Sequence, residues 1–223
     1  MRLTWRLPMN DRVLRVALAD DHPLVMAALR DCLQRSARVQ ISAECRNGTE
    51  LLGTLARHPA DIAITDFCMG HGDASLDGFN LLSRLARHHP ATRVVVISAR
   101  ANAAIVRRAM KLGVRGYVSK EDPLEEVVRA CAHAAFGRGC FCSPAVQAAL
   151  QRAALAGTPA REPTQRELEV IRLFAQGAQL TEIAAKLGRS VSTVSSQKTV
   201  AMRKLGVQTN TALIRYAYES GLI

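Results

Sequence analysis

No apolar run in this 223-residue chain reaches the roughly 18 residues that a membrane-spanning helix needs. The first twelve residues carry arginines, but no apolar stretch follows them. The expectation is a tail ahead of the first strand rather than a secretion signal. None of the six cysteines, at positions 32, 45, 68, 131, 140 and 142, stands in a CxxC or zinc-finger spacing. Cys140-Phe141-Cys142 is a CxC, too short for an ordinary zinc knuckle. Free thiols of a cytoplasmic protein are therefore expected, with Cys140 and Cys142 the two that a redox role would use. No fixed-period repeat is visible, which excludes a solenoid. What is present is a large apolar fraction, 48% of residues, with mean hydropathy +0.03. That excludes a disordered or collagen-like chain, and the length suits one or two domains. The net charge of +11 comes from 20 basic against 14 acidic residues up to position 140, and 10 against 5 after it. Excess positive charge attracts a polyanion, of which nucleic acid is the usual one. The excess lies in both halves, so charge alone does not locate a binding face.

Short apolar runs alternate with helical patterns through the first half. Strands are expected at 13–19, 39–43, 62–65, 94–97 and 116–118. Helices are expected at about 23–35, 49–57, 78–88, 101–111 and 123–136. Five strand–helix repeats predict an α/β fold with a doubly wound, five-stranded parallel sheet. Gly and Pro punctuate 137–163, where a helix over 143–156 precedes a joint at 157–163. Beyond it the pattern is all helical. Thr164-Gln165-Arg166-Glu167 is a capping box, Gly177 and Gly188 are stops, and Ser190 caps a helix reaching about Leu205. A last helix covers about 211–219. The division is thus an extension at 1–12, an α/β domain at 13–137, a linker at 138–163 and a small all-α domain at 164–223.

In an open parallel sheet, sites form beyond the carboxyl ends of the strands. Asp20 and Asp21 follow the first strand, Asp66 ends the third, Ser98 follows the fourth and Lys120 the fifth. Three carboxylates brought together repel one another. A hard cation and the Lys120 ammonium make the cluster tolerable, and Mg²⁺ suits oxygen ligands. One carboxylate can then act as nucleophile towards a phosphoryl group, with Ser98 donating to a phosphoryl oxygen.

These residues carry a resemblance. VALADDHP (17–23), DIAITDF (61–67), VVVISA (94–99) and GYVSK (116–120) make residues 13–136 similar to the flavodoxin-like receiver domain of two-component response regulators. The resemblance implies Asp66 as phosphoacceptor and Mg²⁺ held by Asp20, Asp21, Asp66 and the backbone carbonyl of Cys68. It also implies Ser98 and Tyr117 as switch residues and Lys120 as phosphate partner. One departure is clear. The family's Met-Pro after the acceptor is here Met69-Gly70, and the loop GHGDASLD (70–77) is longer than the family's. His71 and Asp73 within it are expected to be solvated rather than metal ligands.

The helix opening SVSTVSSQKTVAMRKLG (190–206) places small hydroxyl and amide residues near its amino end. Val194, Val200, Ala201 and Leu205 provide an inward face. Such an end suits the DNA major groove. TQRELEVIRLFAQG (164–177), LTEIAAKLGRSVSTV (180–194) and MRKLGVQTNTALIRYA (202–217) resemble the LuxR-type helix-turn-helix of NarL/FixJ response regulators. By that resemblance Thr193, Ser195, Ser196, Lys198 and Thr199 face double-stranded DNA, while Thr181, Arg203 and Lys204 contact phosphates. The last helix would pair two DNA-binding domains through Ala212, Leu213 and Tyr216, with burial inside one monomer as the alternative for Leu213.

The implied protein is a non-enzymatic transcription regulator of the cytoplasm. A sensor histidine kinase or phosphotransfer protein would phosphorylate it at Asp66, controlling homodimerisation, or pairing with another regulator, and DNA binding. The alternative keeps DNA binding and drops phosphorylation, leaving the receiver as a dimerisation or partner-docking module. A phosphatase-like hydrolase using Asp66 is a third, and no substrate-pocket motif supports it.

Overall fold

The computed structural model of the chain describes residues 13–36, 38–69, 76–99, 102–155, 163–220 and 222–223. The extension at 1–12, most of the 70–77 loop and most of the 157–163 joint lie outside the described residues, as do His71 and Asp73.

The first half alternates strictly: β1 (Leu14–Ala19), α1 (Pro23–Gln34), β2 (Val39–Cys45), α2 (Gly48–Arg57), β3 (Ile62–Asp66), α3 (Gly78–His88), β4 (Arg93–Ser98), α4 (Ala103–Lys111), β5 (Gly116–Ser119) and α5 (Glu125–Phe136). The strand order is β2-β1-β3-β4-β5-β6, every pair parallel. The sixth strand corrects the expected five. It is β6, Phe141–Cys142, two residues pairing with Gly116 and Tyr117 of β5. A two-residue strand has no periodicity to detect, and only the pairing defines it.

Side chains alternate faces along each strand. On β1, Leu14, Val16 and Leu18 enter a cluster with α1 and α5, while Ala17 and Ala19 face the helices α2, α3 and α4. Both faces are covered, so β3 is buried along its whole length and reads as a near-continuous apolar run.

After β6 come α6 (Pro144–Leu155), then α7 (Gln165–Ala175), α8 (Leu180–Leu187), α9 (Val191–Leu205) and α10 (Asn210–Glu219). The capping box at Thr164 and Glu167 forms as the sequence predicts. Gly188 ends α8 in the left-handed region at φ 61°, which a residue with a Cβ adopts at a cost. Val170, Leu173, Ile183, Ala184 and Val194 form a core of their own among α7, α8 and α9. The larger core cluster runs on from the sheet through Val146 of α6 to Ile171, Ala201, Leu205, Leu213, Tyr216 and Ala217. Helix α4 packs on α6 and touches α9. No helix among the described residues is long and apolar enough to cross a membrane.

Candidate functional site

The chain turns back on itself between β1 and β3, which are neighbours although β2 separates them in sequence. The crevice beyond their carboxyl ends collects Asp20, Asp21 and Asp66. Asp20 is 3% exposed and Asp66 6%. Lys120, the first residue past β5, reaches across to them. Its Nζ donates to Asp20 Oδ2 and to Asp66 Oδ2, each at 2.7 Å. Burial pushes the Asp66 carboxyl up to about 6; Lys120 works against the rise and Asp20 adds to it. Burial by itself would weaken the Lys120 ammonium, but Asp66 and Asp20 outweigh it and hold the lysine above its ordinary value.

Asp20, Asp21, His22 and Asp66 each offer a ligand atom, all within 4.8 Å of one another. Three of the four donors are carboxylates. That set matches a small hard cation taking oxygen ligands and keeping several waters, and is a poor match to a thiophilic metal. His22 is the member that sequence reasoning left unassigned, although it directly follows the Asp-Asp pair. Its backbone N–H donates to Asp20 Oδ1 at 2.8 Å, and its Nδ1 lies 2.7 Å from Asp21 Oδ1.

The remaining expected residues of this half sit at the same sheet edge. Ser98 ends β4, is 9% exposed, and its carbonyl accepts from the Lys120 N–H at 2.7 Å. The N–H of Cys68 donates to Asp66 Oδ1 at 3.4 Å. Tyr117 is fully buried, its ring 6.4 Å from that of Phe67, which in turn packs edge-on against Phe79 at 5.0 Å. Phe67 follows Asp66 directly, so an aromatic chain leads from the acid cluster to β5.

Asp77 is a residue that sequence reasoning missed. Both of its carboxylate oxygens accept from the Met69 N–H at 3.1 Å, and Gly78 N–H donates to the Phe67 carbonyl at 3.1 Å. The start of α3 is thereby tied to the chain leaving the acid cluster, on either side of Cys68. Burial raises the Asp77 carboxyl, and the Asp21 charge adds to the rise. The only signal in the sequence is an acid immediately before Gly78.

On α9 the exposed stripe is Ser192, Ser196, Thr199 and Arg203, spaced four, three and four residues apart, so they lie on one face. Ser192 was missed by the sequence reading. Thr193 is exposed but engaged with the cap, its hydroxyl 2.8 Å from that of Ser190, and Ser195 is half-buried. Thr181 is exposed on α8. Lys198 is held by Asn210 at 3.0 Å, with its ammonium 4.2 Å from the centre of the Phe174 ring. Lys204 does not stand free for a phosphate: its Nζ donates to both Glu167 oxygens, at 2.8 and 2.9 Å, tying α9 to the start of α7. Burial opposes ionisation of Glu167, yet Lys204 and the Thr164 N–H outweigh it and lower its pKa.

On α10, Leu213 is 0% and Tyr216 3% exposed, both packed inside the chain, which is the alternative the sequence left open for Leu213. Ala212 is half-buried, and the exposed apolar side chains of this helix are Ile214 and Tyr218. Between α4, α6 and α9 lies a cleft of about 640 Å³ whose walls include Asn102, Arg152, Thr199, Arg203 and Gln208. The carboxyl half of the exposed α9 stripe therefore looks towards the α/β half.

Residues 16–132 match the family described as response regulator receiver domain, and residues 164–217 match bacterial regulatory proteins of the luxR family. The chain is 36% identical to the transcriptional regulatory protein RcsB of Escherichia coli K12 over 203 residues, covering 91% of this chain and 93% of that one. It is 31% identical to the E. coli K12 transcriptional regulatory protein UhpA over 208 residues, 93% and 99% of the two chains. Among solved structures, RcsB from Salmonella enterica serovar Typhimurium bound to promoter P1flhDC with the phosphomimetic BeF₃⁻ is 34% identical, covering 95% of this chain and all of that one, with TM-score 0.79. Two RcsB dimers bound to two parallel DNAs give TM-score 0.74, with 34% identity over 92% of this chain and 98% of that one.

Proposed function

The chain belongs to the response regulators that join a receiver domain to a LuxR-type DNA-binding domain, and from that premise we propose that Asp66 is its phosphoacceptor. The chain is a phosphorylation-regulated, DNA-binding transcription regulator.

One observation carries the assignment: a single ammonium, Lys120, bridging two buried carboxylates at 2.7 Å, one of them at the end of β3. With its carboxyl at about 6, Asp66 is ionised at pH 7 and can attack. An Asp66 oxygen bonds the phosphorus of the donor, and the donor departs with its own electron pair. Lys120, freed from the neutralised carboxylate, turns its ammonium to a phosphoryl oxygen. The Ser98 hydroxyl donates to another. Asp20, Asp21, Asp66 and the Cys68 carbonyl would hold Mg²⁺, which when bound supplies positive charge against the phosphoryl oxygens. Asp77, by gripping Met69, fixes the direction of that carbonyl.

Movement of Ser98 on β4 and of Tyr117 on β5 then changes the surface of α4. Helix α4 touches α9, so the phosphoryl state biases whether Thr199 and Arg203 face the cleft or DNA. Ser192, Ser196 and Thr199 meet the major groove in the open state, while Thr181 and Arg203 grip phosphates. Ile214 and Tyr218, beside Ala212, pair two DNA-binding domains. The phosphodonor is a histidine kinase or phosphotransfer protein of the cytoplasm, and the DNA-bound form is a homodimer. Residues 13–137 act as the receiver, 138–163 as a connection and 164–223 as the reader.

The assignment is tested by incubating the full chain with a small acyl phosphate and Mg²⁺, then locating the modification by mass spectrometry. One phosphoryl group on the peptide containing Asp66, absent from Asp66→Asn, is expected. A phosphoryl group elsewhere, or an equal yield on Asp66→Asn, would refute it.

A further inference from the structure

Cys140 and Cys142 take no part in the acid cluster or the DNA-facing helix, and their setting is unlike that of Cys32, Cys45 and Cys131. Cys32, Cys45 and Cys131 are buried in the cores at 5%, 1% and 1% exposure. Burial is the leading cause that raises all three thiols, and it pushes Cys131 to about 12, so they stay protonated and inert. Cys140 and Cys142 are only half-buried. Cys140 directly precedes the edge strand β6 and Cys142 ends it; both pack against the same core cluster, while Phe141 between them packs against the opposite one, so the two side chains share one face of the sheet. The Cys140 thiol donates to the Phe141 carbonyl at 3.4 Å, and the influence of each sulfur on the other raises Cys140 and lowers Cys142. The Arg115 guanidinium, anchored by donating to the Gly137 carbonyl at 2.7 Å, lies near enough to Cys140 to favour negative charge there. Partial exposure, with a second thiol on the same face, sets this pair apart from the three thiols sealed in the cores.

We propose that Cys140 and Cys142 form a redox dithiol that hydroperoxides oxidise to an intrastrand disulfide. The Cys142 thiolate attacks the distal oxygen of the hydroperoxide. The O–O bond breaks, giving a sulfenic acid, and the other oxygen leaves as an alcohol, or as water from hydrogen peroxide, after taking a proton. The Cys140 sulfur then attacks the sulfenic sulfur, its proton goes to the departing hydroxyl, and water leaves as the S–S bond forms. Two thiols lose two electrons and two protons, and the peroxide gains them.

The consequence for the fold comes from strand dimensions. Residues two apart on a strand stand about 6.6 Å apart, whereas disulfides favour Cα separations of about 5.5–6 Å. The strand separation is near the upper end of the disulfide range of about 4.4–6.8 Å, so closing the bond at its favoured separation draws residues 140 and 142 together by up to about 1 Å. Strand β6 is held to β5 by Phe141 N–H on the Arg115 carbonyl and by Ser143 N–H on the Tyr117 carbonyl. Ser143, fully buried, also accepts from the Ser119 N–H at 3.0 Å and leads directly into α6, a wall of the cleft that holds α9. Oxidation thus acts on the strand that carries Tyr117 and on the strut between the two halves of the chain.

The test treats the reduced full-length protein with hydrogen peroxide, blocks the remaining thiols with N-ethylmaleimide and digests with trypsin. The peptide 139–152 is expected to lose two hydrogen atoms and to carry no maleimide. Dithiothreitol should restore both thiols, and Cys140→Ser should give no such product. Two maleimides on that peptide, or sulfinic acid without the two-hydrogen loss, would overturn the proposal. Hydrogen exchange then tests the coupling. The Phe141 and Ser143 amides should exchange at least threefold faster in the oxidised protein, and unchanged rates would overturn that part.

Discussion

Replacing Asp66 by asparagine is expected to make the protein more stable at pH 7 when no divalent cation is present. The carboxyl sits at about 6 against an ordinary 3.8, because burial penalises its charge more than Lys120 compensates. A shift of roughly two pKa units corresponds to about 3 kcal/mol between the protonation states. For an acid raised in this way, the folded protein binds the proton more tightly than the unfolded chain between pH 3.8 and 6. Stability therefore falls as pH rises through that window and is flat above it. Asparagine removes the buried charge. Lys120 loses one partner but keeps Asp20 at 2.7 Å. A net gain of about 1–3 kcal/mol at pH 7 is expected, shrinking to about 0.5 kcal/mol at pH 4, where Asp66 is already protonated. Urea unfolding of both proteins in chelator at the two pH values measures the double difference, in which groups common to both cancel. Mg²⁺ should offset most or all of this difference by stabilising the wild type, by about 2.7 kcal/mol at a hundredfold excess over its Kd. A variant less stable than wild type at pH 7, or one with the same difference at both pH values, would refute the electrostatic account of the pocket.

The geometry sets three further expectations. Asp77→Ala should weaken Mg²⁺-dependent beryllofluoride binding about tenfold while leaving the unfolding midpoint within a few degrees. Asp77→Asn, which keeps an oxygen for the Met69 N–H, should restore most of it; equal loss in both would rule out the clamp. Lys204→Ala should cost about 1.5–3 kcal/mol of stability through its Glu167 pair, whereas Arg203→Ala should leave stability alone and lower the salt dependence of DNA binding by about one ion; the reverse assignment would show that Lys204 is the phosphate contact. Gly48→Ala should destabilise the chain by about 1–3 kcal/mol, because its Cβ would stand 2.0 Å from the Leu76 carbonyl oxygen. Gly53→Ala in the same helix meets nothing within 4 Å and should stabilise by about 0.5–1 kcal/mol; equal effects at both sites would contradict the packing of residue 76 on α2.

The acid cluster could be read from the chain because buried parallel strands leave a plain mark, short apolar runs with polar groups at their carboxyl ends. Asp20, Asp66, Ser98 and Lys120 sit where that mark puts them. What escaped depends on contacts between distant residues. Strand β6 has only two residues and exists by virtue of its pairing with Gly116 and Tyr117. The Asp77 clamp joins two ends of a loop whose course no local pattern gives. Lys204 reads in the sequence only as a basic residue late in α9, and its ion pair with Glu167, 37 residues away, depends on the fold. On α10 the apolar residues were visible but not which way each faces. The packing of α10 against α7 turns Leu213 and Tyr216 inward and leaves Ile214 and Tyr218 outside.

Phosphorylation at Asp66 as the control of assembly is tested most directly by the oligomeric state of the full chain in Mg²⁺ and beryllium fluoride, wild type beside Asp66→Asn, by light scattering. A shift from monomer to dimer in the wild type alone is the expected result. No shift in the wild type, or the same shift in both, would contradict a switch worked through Asp66.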